Sequence, residues 1–215
     1  MAKKGSEASI NRRGIFISFE GVDGSGKTTQ ANMLSAHLIK DGIDVVVTRE
    51  PGGTRIGERI REVLLDPKLQ EMNPMTETIL YAADRAQHVA EVIRPALNAG
   101  NVVICDRYID SSLAYQGVAR GLGMEGVRNL NEWATSDLYP NLTILIKVPF
   151  AAGLKRLPVD RMDRMEMQSE SFHASVQEAY FTLAKLFSQR VVIVNGEEKP
   201  EIVHHHVMEE VEKYL

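Results

Sequence analysis

Residues Gly21 to Thr28 read GVDGSGKT, directly after an apolar run, IFISFE, at residues 15–20. The eight residues fit the pattern G-x-x-x-x-G-K-[ST], in which glycines let the backbone wrap around a phosphate group and a lysine reaches the same anion. The pattern has this meaning where a strand precedes it and a helix follows it. Apolar residues at helical spacing, such as Leu34 and Leu38, predict that helix. The sequence therefore predicts a phosphate-binding loop, or P-loop.

A P-loop indicates a nucleoside triphosphate and Mg²⁺. Its N–H groups and the helix N-terminus face the phosphates, Lys27 reaches the β- and γ-phosphates, and the Thr28 hydroxyl is a Mg²⁺ ligand. The residues that we expect at the phosphates are Gly21, Val22, Asp23, Gly24, Ser25, Gly26, Lys27, Thr28 and Thr29. A guanine-specific switch would usually carry N-K-x-D after a late strand, but residues 147–150 read KVPF.

Strands and helices alternate along the rest of the chain. Apolar runs predict further strands at about residues 43–48, 101–105, 141–148 and 190–194. Helical spacing predicts helices at about residues 28–40, 56–65, 75–98, 111–120, 124–137, 150–157, 166–188 and 200–213. The alternation is typical of a three-layer α/β fold, a five-stranded, mostly parallel sheet with helices on both faces. In such sheets the ligand site lies beyond the carboxyl ends of the strands.

The composition is that of an ordinary globular domain. The 215 residues include 25 Lys and Arg against 29 Asp and Glu, a net charge of −4, which argues against a protein that coats nucleic acid. The one cysteine, Cys105, excludes an intrachain disulfide and a multi-cysteine zinc site, and it is compatible with a reducing cytoplasm. The sequence has no run of 18 apolar residues, so no membrane span is expected. We interpret residues 1–13 as a flexible arm and residues 14–215 as one domain.

A second motif follows the predicted third strand. The apolar residues VVIC at 102–105 lead directly into Asp106-Arg107-Tyr108. An acid at this place in a P-loop protein is typical of a group that supports Mg²⁺. The fork of Arg107 suits a phosphate group. Together they indicate a site at which two phosphorylated ligands meet.

Arginines are unusually dense in the predicted loops and helix starts. They are Arg49, Arg85, Arg156, Arg161 and Arg164. A single surface arginine needs no explanation, but the set favours a site that gathers negative charge.

The motifs together resemble the thymidylate kinase family of nucleoside monophosphate kinases. The matching segments are FISFEGVDGSGKTTQ at residues 16–30, TREPGGT at 48–54, LYAADRAQH at 80–88, VICDRYIDSSLAYQG at 103–117 and DRMEMQSESF at 163–172. The resemblance covers about residues 14–213 and implies the P-loop kinase fold, with a short lid at about residues 155–166. It implies transfer of a phosphoryl group from Mg·ATP to dTMP, for dTTP synthesis, by a cytoplasmic homodimer.

The resemblance also implies a role for each site residue. Lys27 and Thr28 hold the ATP phosphates and Mg²⁺, with Asp106 supporting the metal. Asp23 approaches the ribose or phosphate of the acceptor. The residues implied at dTMP are Asp23, Arg49, Pro51, Tyr81, Arg85, Arg107, Ser112, Tyr115 and Gln116. Among these, Tyr81 stacks on thymine and Arg85 hydrogen-bonds its carbonyl edge. Tyr115 packs near C2′, and a cis peptide precedes Pro51.

Family members without a basic residue inside the P-loop carry a catalytic arginine in the lid. The four variable loop positions here, residues 22–25, are VDGS, so the chain resembles this type, which is common in bacteria. Arg161 and Arg164 are the first candidates for the catalytic cation, and Arg156 is the third. An arginine that arrives only on closure would discourage hydrolysis of ATP by water.

Two alternatives remain open from the sequence. One is another pyrimidine nucleotide or deoxynucleoside kinase. A nucleoside acceptor would need a base for its hydroxyl proton, which Glu50 or Asp106 could supply. A phosphate monoester has a second pKa of about 6 and needs none. The other alternative is a nucleotide-gated binding protein without turnover. The expected partners are small molecules, dTMP and ATP, with no nucleic acid and no membrane.

Overall fold

The computed structural model describes residues 14–156 and 162–215, and it confirms the predicted α/β architecture. One parallel sheet has the strand order β2-β3-β1-β4-β5. Its strands are β1 (Ile15–Glu20), β2 (Val45–Arg49), β3 (Val102–Asp106), β4 (Leu142–Lys147) and β5 (Val191–Asn195). The central strand β1 pairs with β3 on one side and with β4 on the other. The loop that follows β1 therefore lies in the middle of the carboxyl edge of the sheet.

Helices cover both faces of this sheet. They are α1 (Lys27–Lys40), α2 (Arg55–Leu65), α3 (Pro74–His88), α4 (Arg94–Asn98), α5 (Ile109–Ser112), α6 (Met124–Thr135), α7 (Phe150–Leu154), α8 (Glu170–Leu186) and α9 (Pro200–Val211). The adjacent residues Phe16 and Ile17 of β1 belong to different buried clusters. Ile17 packs in the cluster that includes residues of α1 and α9, and Phe16 in the cluster that includes residues of α8. This alternation is expected where successive side chains of a strand point to opposite faces.

Two helices widen into π turns that the hydrophobic pattern does not predict. The predicted helix at 75–98 begins at Pro74 but passes through a π turn, Val89–Ile93, before α4. Pro95 lies just beyond this turn, and a proline ring clashes with the carbonyl four residues earlier, so the wider turn relieves the clash. The second π turn, Leu113–Ala119, continues α5 beside the candidate site. Turns of this kind are frequent at functional sites.

The predicted helix at 166–188 begins later, at Glu170. The Ser169 side chain accepts a hydrogen bond from the N–H of Phe172 and caps α8. Before it, Asp163 Oδ1 accepts hydrogen bonds from the N–H groups of Met165 and Glu166 at 2.8 and 2.9 Å, which holds that segment in a turn. Among the helices described, none has the length and apolar character needed to cross a membrane.

Candidate active site

The P-loop wraps closely against the chain that follows β4. Gly24 has φ +71°, and a Cβ there would lie 2.1 Å from the carbonyl oxygen of Gly153. Gly26, with φ +99°, is the residue before α1, and a Cβ on it would meet nothing within 4 Å. Gly26 is therefore required by its backbone conformation and not by crowding. The space in front of it stays open to an anion at the start of α1.

Lys27 folds back over the P-loop. Its Nζ donates hydrogen bonds to the carbonyl oxygens of Gly21 at 3.1 Å and Val22 at 2.9 Å. Within the described residues the third N–H of the ammonium group has no acceptor, so it can bind an anion. Burial and the nearby charge of Arg107 lower the pKa of Lys27 to about 8, and the group is charged at neutral pH.

Thr28 and Asp106 bring two oxygen ligands together at the mouth of the P-loop. Thr28 Oγ1 donates a hydrogen bond to Asp106 Oδ2 at 2.5 Å across the space between α1 and β3. Hydroxyl and carboxylate oxygens are the donors that Mg²⁺ prefers. This pair fits the metal predicted from the sequence.

A large cavity opens in front of the P-loop, with a volume of 660 Å³. Residues 23–30 line one wall, and Arg107 and Arg156 lie on others. Gly196 and Glu198, in the loop after β5, also line it. Sequence reasoning missed these two residues, although the rule that ligands bind at strand ends applies to β5 as it does to the other strands.

A smaller cavity of 160 Å³ lies beside the first. It brings together eight of the nine predicted substrate residues, which are Asp23, Pro51, Tyr81, Arg85, Arg107, Ser112, Tyr115 and Gln116, whereas the ninth, Arg49, lines the larger cavity. Asp23, Glu50, Arg61 and Arg107 line both cavities, so the two meet at these side chains. Burial raises the pKa of Tyr81 well above its usual range, and its ring enters the site as a neutral phenol.

The boundary between the cavities is an ion pair. Arg107 Nη2 donates to Asp23 Oδ1 at 2.5 Å, and its Nη1 donates to Ser111 Oγ and Tyr180 Oη at 3.2 Å each. Arg107 has φ +72°, an uncommon value for a residue with a side chain. Burial opposes ionisation of Asp23, but Arg107 and Lys27 outweigh it and lower the pKa of Asp23 to about 2.

Arg85 is buried among acceptors of the protein itself. Its Nε donates to Glu50 Oε2 at 2.6 Å, and its other nitrogens donate to Ser112 Oγ at 2.9 Å, to Asn131 Oδ1 and to the Tyr108 carbonyl at 3.1 Å. Four of the five N–H groups of a guanidinium are thereby used. One N–H on Nη2 is left without an acceptor among the described residues, and this is what Arg85 can offer to a ligand.

Arg49 lies at the rim of the larger cavity and turns towards Glu58. Its Nη2 donates to the two carboxylate oxygens of Glu58 at 2.9 and 3.1 Å, and the side chain is 54% exposed. The Glu50–Pro51 peptide bond is cis, as the family resemblance implied. Arg61 Nη1 donates to the carbonyl of Pro51 at 2.8 Å and reaches both cavities. The sequence analysis gives Arg61 no role.

The predicted lid arginines occupy different environments. Arg156 Nη1 donates to the carbonyl of Gly24 at 3.2 Å, so its guanidinium lies over the P-loop. Arg164 is 2% exposed, and its Nη1 donates to Glu77 Oε2 at 2.7 Å while its Nε donates to the Leu64 carbonyl at 2.8 Å. Arg161 lies outside the described residues. The catalytic roles assigned to Arg161 and Arg164 stay predictions.

Behind the phosphate-binding groups lies a buried acid, Glu20. It accepts hydrogen bonds from the Tyr108 N–H at 2.7 Å, from Ser111 Oγ at 2.6 Å and from Tyr180 Oη at 2.9 Å. Burial and the neighbouring Asp110 raise the pKa of Glu20 to about 7. Ser111 and Tyr180 also accept hydrogen bonds from Arg107. Glu20 therefore positions the two hydroxyl groups that contact this arginine. No pattern in the sequence distinguishes Glu20 from an ordinary strand end.

Comparisons with known proteins point to one family. The model of the family described as "Thymidylate kinase" matches residues 19–207. The thymidylate kinase of Caldanaerobacter subterraneus subsp. tengcongensis is 49% identical over 203 residues, 94% of this chain and 97% of that protein. The thymidylate kinase of Symbiobacterium thermophilum is 48% identical over 201 residues, 94% of each chain. A crystal structure of thymidylate kinase from Ehrlichia chaffeensis is similar with a TM-score of 0.76 at 33% identity, covering 92% of this chain and 98% of that one.

Proposed function

The chain belongs to the thymidylate kinase family, and from that premise we propose how its residues carry out phosphoryl transfer. The protein is a transferase that phosphorylates dTMP to dTDP with ATP as the donor. The observation that carries the residue assignments is that Asp23 and Arg107 line both cavities. Two nucleotides, one in each cavity, would bring their phosphates together at this pair.

The larger cavity is the donor site in this proposal. The P-loop binds the phosphates of ATP, and we assign the free N–H of Lys27 to the γ-phosphate. Thr28 and Asp106 hold Mg²⁺, which when bound neutralises charge on the β- and γ-phosphates. The loop after β5, with Gly196 and Glu198, also lines this cavity, and we assign the adenine end of the nucleotide to it.

The smaller cavity is the acceptor site. Tyr81 stacks on the thymine ring, and Arg85 offers its remaining N–H to a carbonyl of the base. Ser112 and Gln116 complete the base site, and Tyr115 packs against the sugar. The sugar is also close to Asp23, because Tyr115 Oη donates to Asp23 Oδ2 at 3.2 Å.

Cations supply the electrostatic part of catalysis. Arg107 binds the phosphate of dTMP at the junction of the cavities, and Arg49 and Arg61 extend this positive region along the rim. Arg49 would have to exchange Glu58 for the phosphate. Of the two lid arginines that the structure describes, Arg156 lies over the P-loop and Arg164 does not, and we propose Arg156 as the cation that neutralises the transferring group. The phosphate of dTMP is ionised near neutral pH, and in-line transfer then depends on positioning and charge.

The geometry does not favour a nucleoside as acceptor. Such a substrate needs a general base, and of the two acids that the sequence offers for this role, Glu50 lines the smaller cavity and Asp106 the larger one. Both carboxylate oxygens of Glu50 are engaged, one by Arg85 Nε at 2.6 Å and the other by His88 Nδ1 at 2.9 Å. Asp106 is engaged by Thr28. A carboxylate in an ion pair with a buried arginine is a poor base.

We also propose the organisation of the whole chain. In this proposal residues 14–215 are one kinase domain, whereas the arm expected at residues 1–13 and residues 157–161 of the expected lid lie outside the described residues. A homodimer is supported by apolar side chains that are exposed on α2, α3 and α6, namely Ile56, Met75, Ile79 and Trp133. A cytoplasmic location agrees with the free thiol of Cys105.

The test is the release of ADP from Mg·ATP with a panel of acceptors. The panel is dTMP, dUMP, dCMP, AMP, thymidine and no acceptor. We expect strong preference for dTMP and no turnover of thymidine. Lys27→Met is the matched control, because it removes the phosphate-binding cation and excludes a contaminating kinase. Release of ADP at the same rate without an acceptor would reject the proposal in favour of an ATPase.

A further inference from the structure

Glu77 is a fully buried acid at the edge of the smaller cavity, and none of the sequence patterns marks it. It lies in the first turn of α3 and is 0% exposed. Its Oε1 accepts from Gln116 Nε2 at 2.9 Å and from Arg120 Nε at 3.2 Å. Its Oε2 accepts from Arg120 Nη2 at 2.9 Å and from Arg164 Nη1 at 2.7 Å. The side chain therefore joins α3, the second π turn and the segment before α8.

The two arginines keep Glu77 ionised. Burial would raise the pKa of its carboxyl group, but hydrogen bonds from Arg120, Gln116 and Arg164 and the charge of Arg120 outweigh burial and lower that pKa. An ionised carboxylate can only accept hydrogen bonds. A neighbouring amide can therefore approach it with its NH₂ group and not with its oxygen.

This constraint fixes the direction of the Gln116 amide. Gln116 is 2% exposed, lines the smaller cavity and turns its Nε2 to Glu77. Its Oε1 accepts no hydrogen bond from the part of the chain that the structure describes. The amide oxygen is thus available as an acceptor for a ligand, and it cannot exchange places with the nitrogen without setting an oxygen against the carboxylate of Glu77.

We propose that Glu77 is a positioning residue that selects the pyrimidine by holding Gln116 with its oxygen towards the base. Thymine and uracil carry an N–H donor at ring position 3, whereas cytosine carries an acceptor there. A fixed acceptor at Gln116 pairs with the first two bases and repels the third. The proposal rests on the function proposed above and extends it, because it names a residue outside the cavity lining as the origin of the choice.

A single substitution should allow Gln116 to turn its NH₂ group, in place of its oxygen, towards the base. In Glu77→Gln the introduced amide can accept from Arg120 Nη2 and Arg164 Nη1 with its oxygen and donate to Gln116 with its nitrogen, and the hydrogen bond from Arg120 Nε is lost. Gln116 is then free to turn its NH₂ group towards the base, which suits cytosine. Glu77→Asp is the matched control, because it keeps an acceptor that cannot donate.

The experiment measures kcat and KM for dTMP and dCMP with the wild type and these variants. Because one hydrogen bond changes from matched to mismatched, we expect Glu77→Gln to lower the kcat/KM ratio of dTMP over dCMP about tenfold. The change should appear mainly in KM. Glu77→Asp should keep the ratio near that of the wild type. Gln116→Leu should lower the ratio by itself, and Glu77→Gln should not lower it further in that background.

Several outcomes would overturn the proposal. A purely structural role of Glu77 would reduce turnover of both acceptors by the same factor and leave the ratio unchanged. An unchanged ratio in Gln116→Leu would reject the proposal even where Glu77→Gln does not fold. The same would follow if the wild type did not prefer dTMP to dCMP. Absence of dTMP turnover by the wild type would instead reject the proposed function, so the two failures are distinct.

Discussion

Arg107 Nη2 lies 2.5 Å from Asp23 Oδ1, so the arginine that follows β3 is held against the carboxylate in the loop that follows β1. These two strands are hydrogen-bonded neighbours, with Phe19 in register with Asp106. The sheet thus brings together two groups that are more than 80 residues apart in the chain, |i−j| = 84. The pair fixes the junction of the two cavities before a ligand arrives.

The Asp23–Arg107 pair should make stability depend on pH in acid. The folded-state pKa of Asp23 is lowered to about 2 from an ordinary value of 3.8. The pair therefore contributes stability above about pH 4, and the contribution is lost as the pH falls through 2. Because Asp23 is 23% exposed, we expect a contribution of about 1–2 kcal/mol.

Urea unfolding of the wild type and of Asp23→Asn between pH 6 and pH 2 measures the contribution of the pair to the free energy of unfolding. The difference in unfolding free energy between them should be constant near neutral pH and shrink as the pH approaches 2. Asp44→Asn, at an exposed carboxylate, is the control and should leave the profile unchanged. A difference that grows in acid would mean that Asp23 is not stabilised as a carboxylate.

Replacement of Arg156 should affect catalysis, whereas replacement of Arg164 should affect the stability of the fold. Arg156 contacts the P-loop through Gly24, and its replacement by alanine removes a cation near the transferring phosphoryl group. We expect Arg156→Ala to lower kcat by about 10²-fold or more with an unchanged melting temperature, and Arg156→Lys to recover part of the rate. Arg164→Ala should destabilise the protein by about 2–4 kcal/mol, because it breaks a buried pair with Glu77.

Thermal unfolding and steady-state kinetics on the same preparations distinguish these effects. If Arg164→Ala had the melting temperature of the wild type but no longer turned over substrate, Arg164 would be the catalytic cation. It would then have to leave Glu77 during the reaction. That result would restore the order of candidates that the sequence suggests.

Much of the fold could be predicted from the sequence because its patterns are local. The P-loop motif and the apolar runs around it fix β1 and α1, and the remaining strands follow from four- to eight-residue apolar runs. The smaller cavity gathers the five side chains to which the family resemblance gives base and sugar roles, and those roles stay predictions. These segments carry their information in neighbouring residues, so a single sequence is sufficient.

The partners of the arginines could not be predicted, because they lie far along the chain. Arg85 pairs with Glu50 at |i−j| = 35, and Arg164 pairs with Glu77 at |i−j| = 87. Glu50 belongs to the TREPGGT motif, but nothing in that motif pairs it with Arg85, and Glu77 belongs to no motif. Which arginine is neutralised inside the protein and which is free for a phosphate therefore depends on tertiary contacts that periodicity does not contain.

Thr28 should be needed for Mg²⁺ and not for stability. Its hydroxyl lies beside Asp106 and its side chain is exposed. The free energy of unfolding of Thr28→Val should therefore lie within about 0.5 kcal/mol of that of the wild type. We expect the half-saturating concentration of Mg²⁺ at fixed ATP to rise at least about tenfold. Thr28→Ser keeps the hydroxyl and should behave as the wild type. Equal Mg²⁺ dependence in the valine variant would remove Thr28 from the metal site.

Trp133 should be part of the interface between two copies of the chain. The side chain is 84% exposed in a single chain, and so large a solvent-exposed fraction is rare for tryptophan. We expect the wild type to sediment at twice 24.0 kDa and Trp133→Glu to shift towards the single-chain mass. Leu186→Glu, an equally apolar exposed position on α8, is the control and should remain dimeric. A dimeric Trp133→Glu would place the interface elsewhere.

Glu20 should oppose folding as the pH rises through neutrality. Its folded-state pKa is raised to about 7 from an ordinary value of 4.5, so the folded protein keeps a proton that the unfolded chain releases. Stability should therefore fall between about pH 4.5 and pH 7, by at most about 3 kcal/mol from this group.

Comparison of wild type and Glu20→Gln isolates that contribution, because all other titratable groups are common to both proteins. The variant keeps a neutral oxygen for the Tyr108 N–H, and its slope of unfolding free energy against pH should be flatter than that of the wild type. Glu178→Gln, at an exposed position of α8, should leave the slope unchanged. Parallel profiles for the wild type and Glu20→Gln would mean that Glu20 ionises normally, and Ser111 and Tyr180 would then donate to a full negative charge behind Arg107.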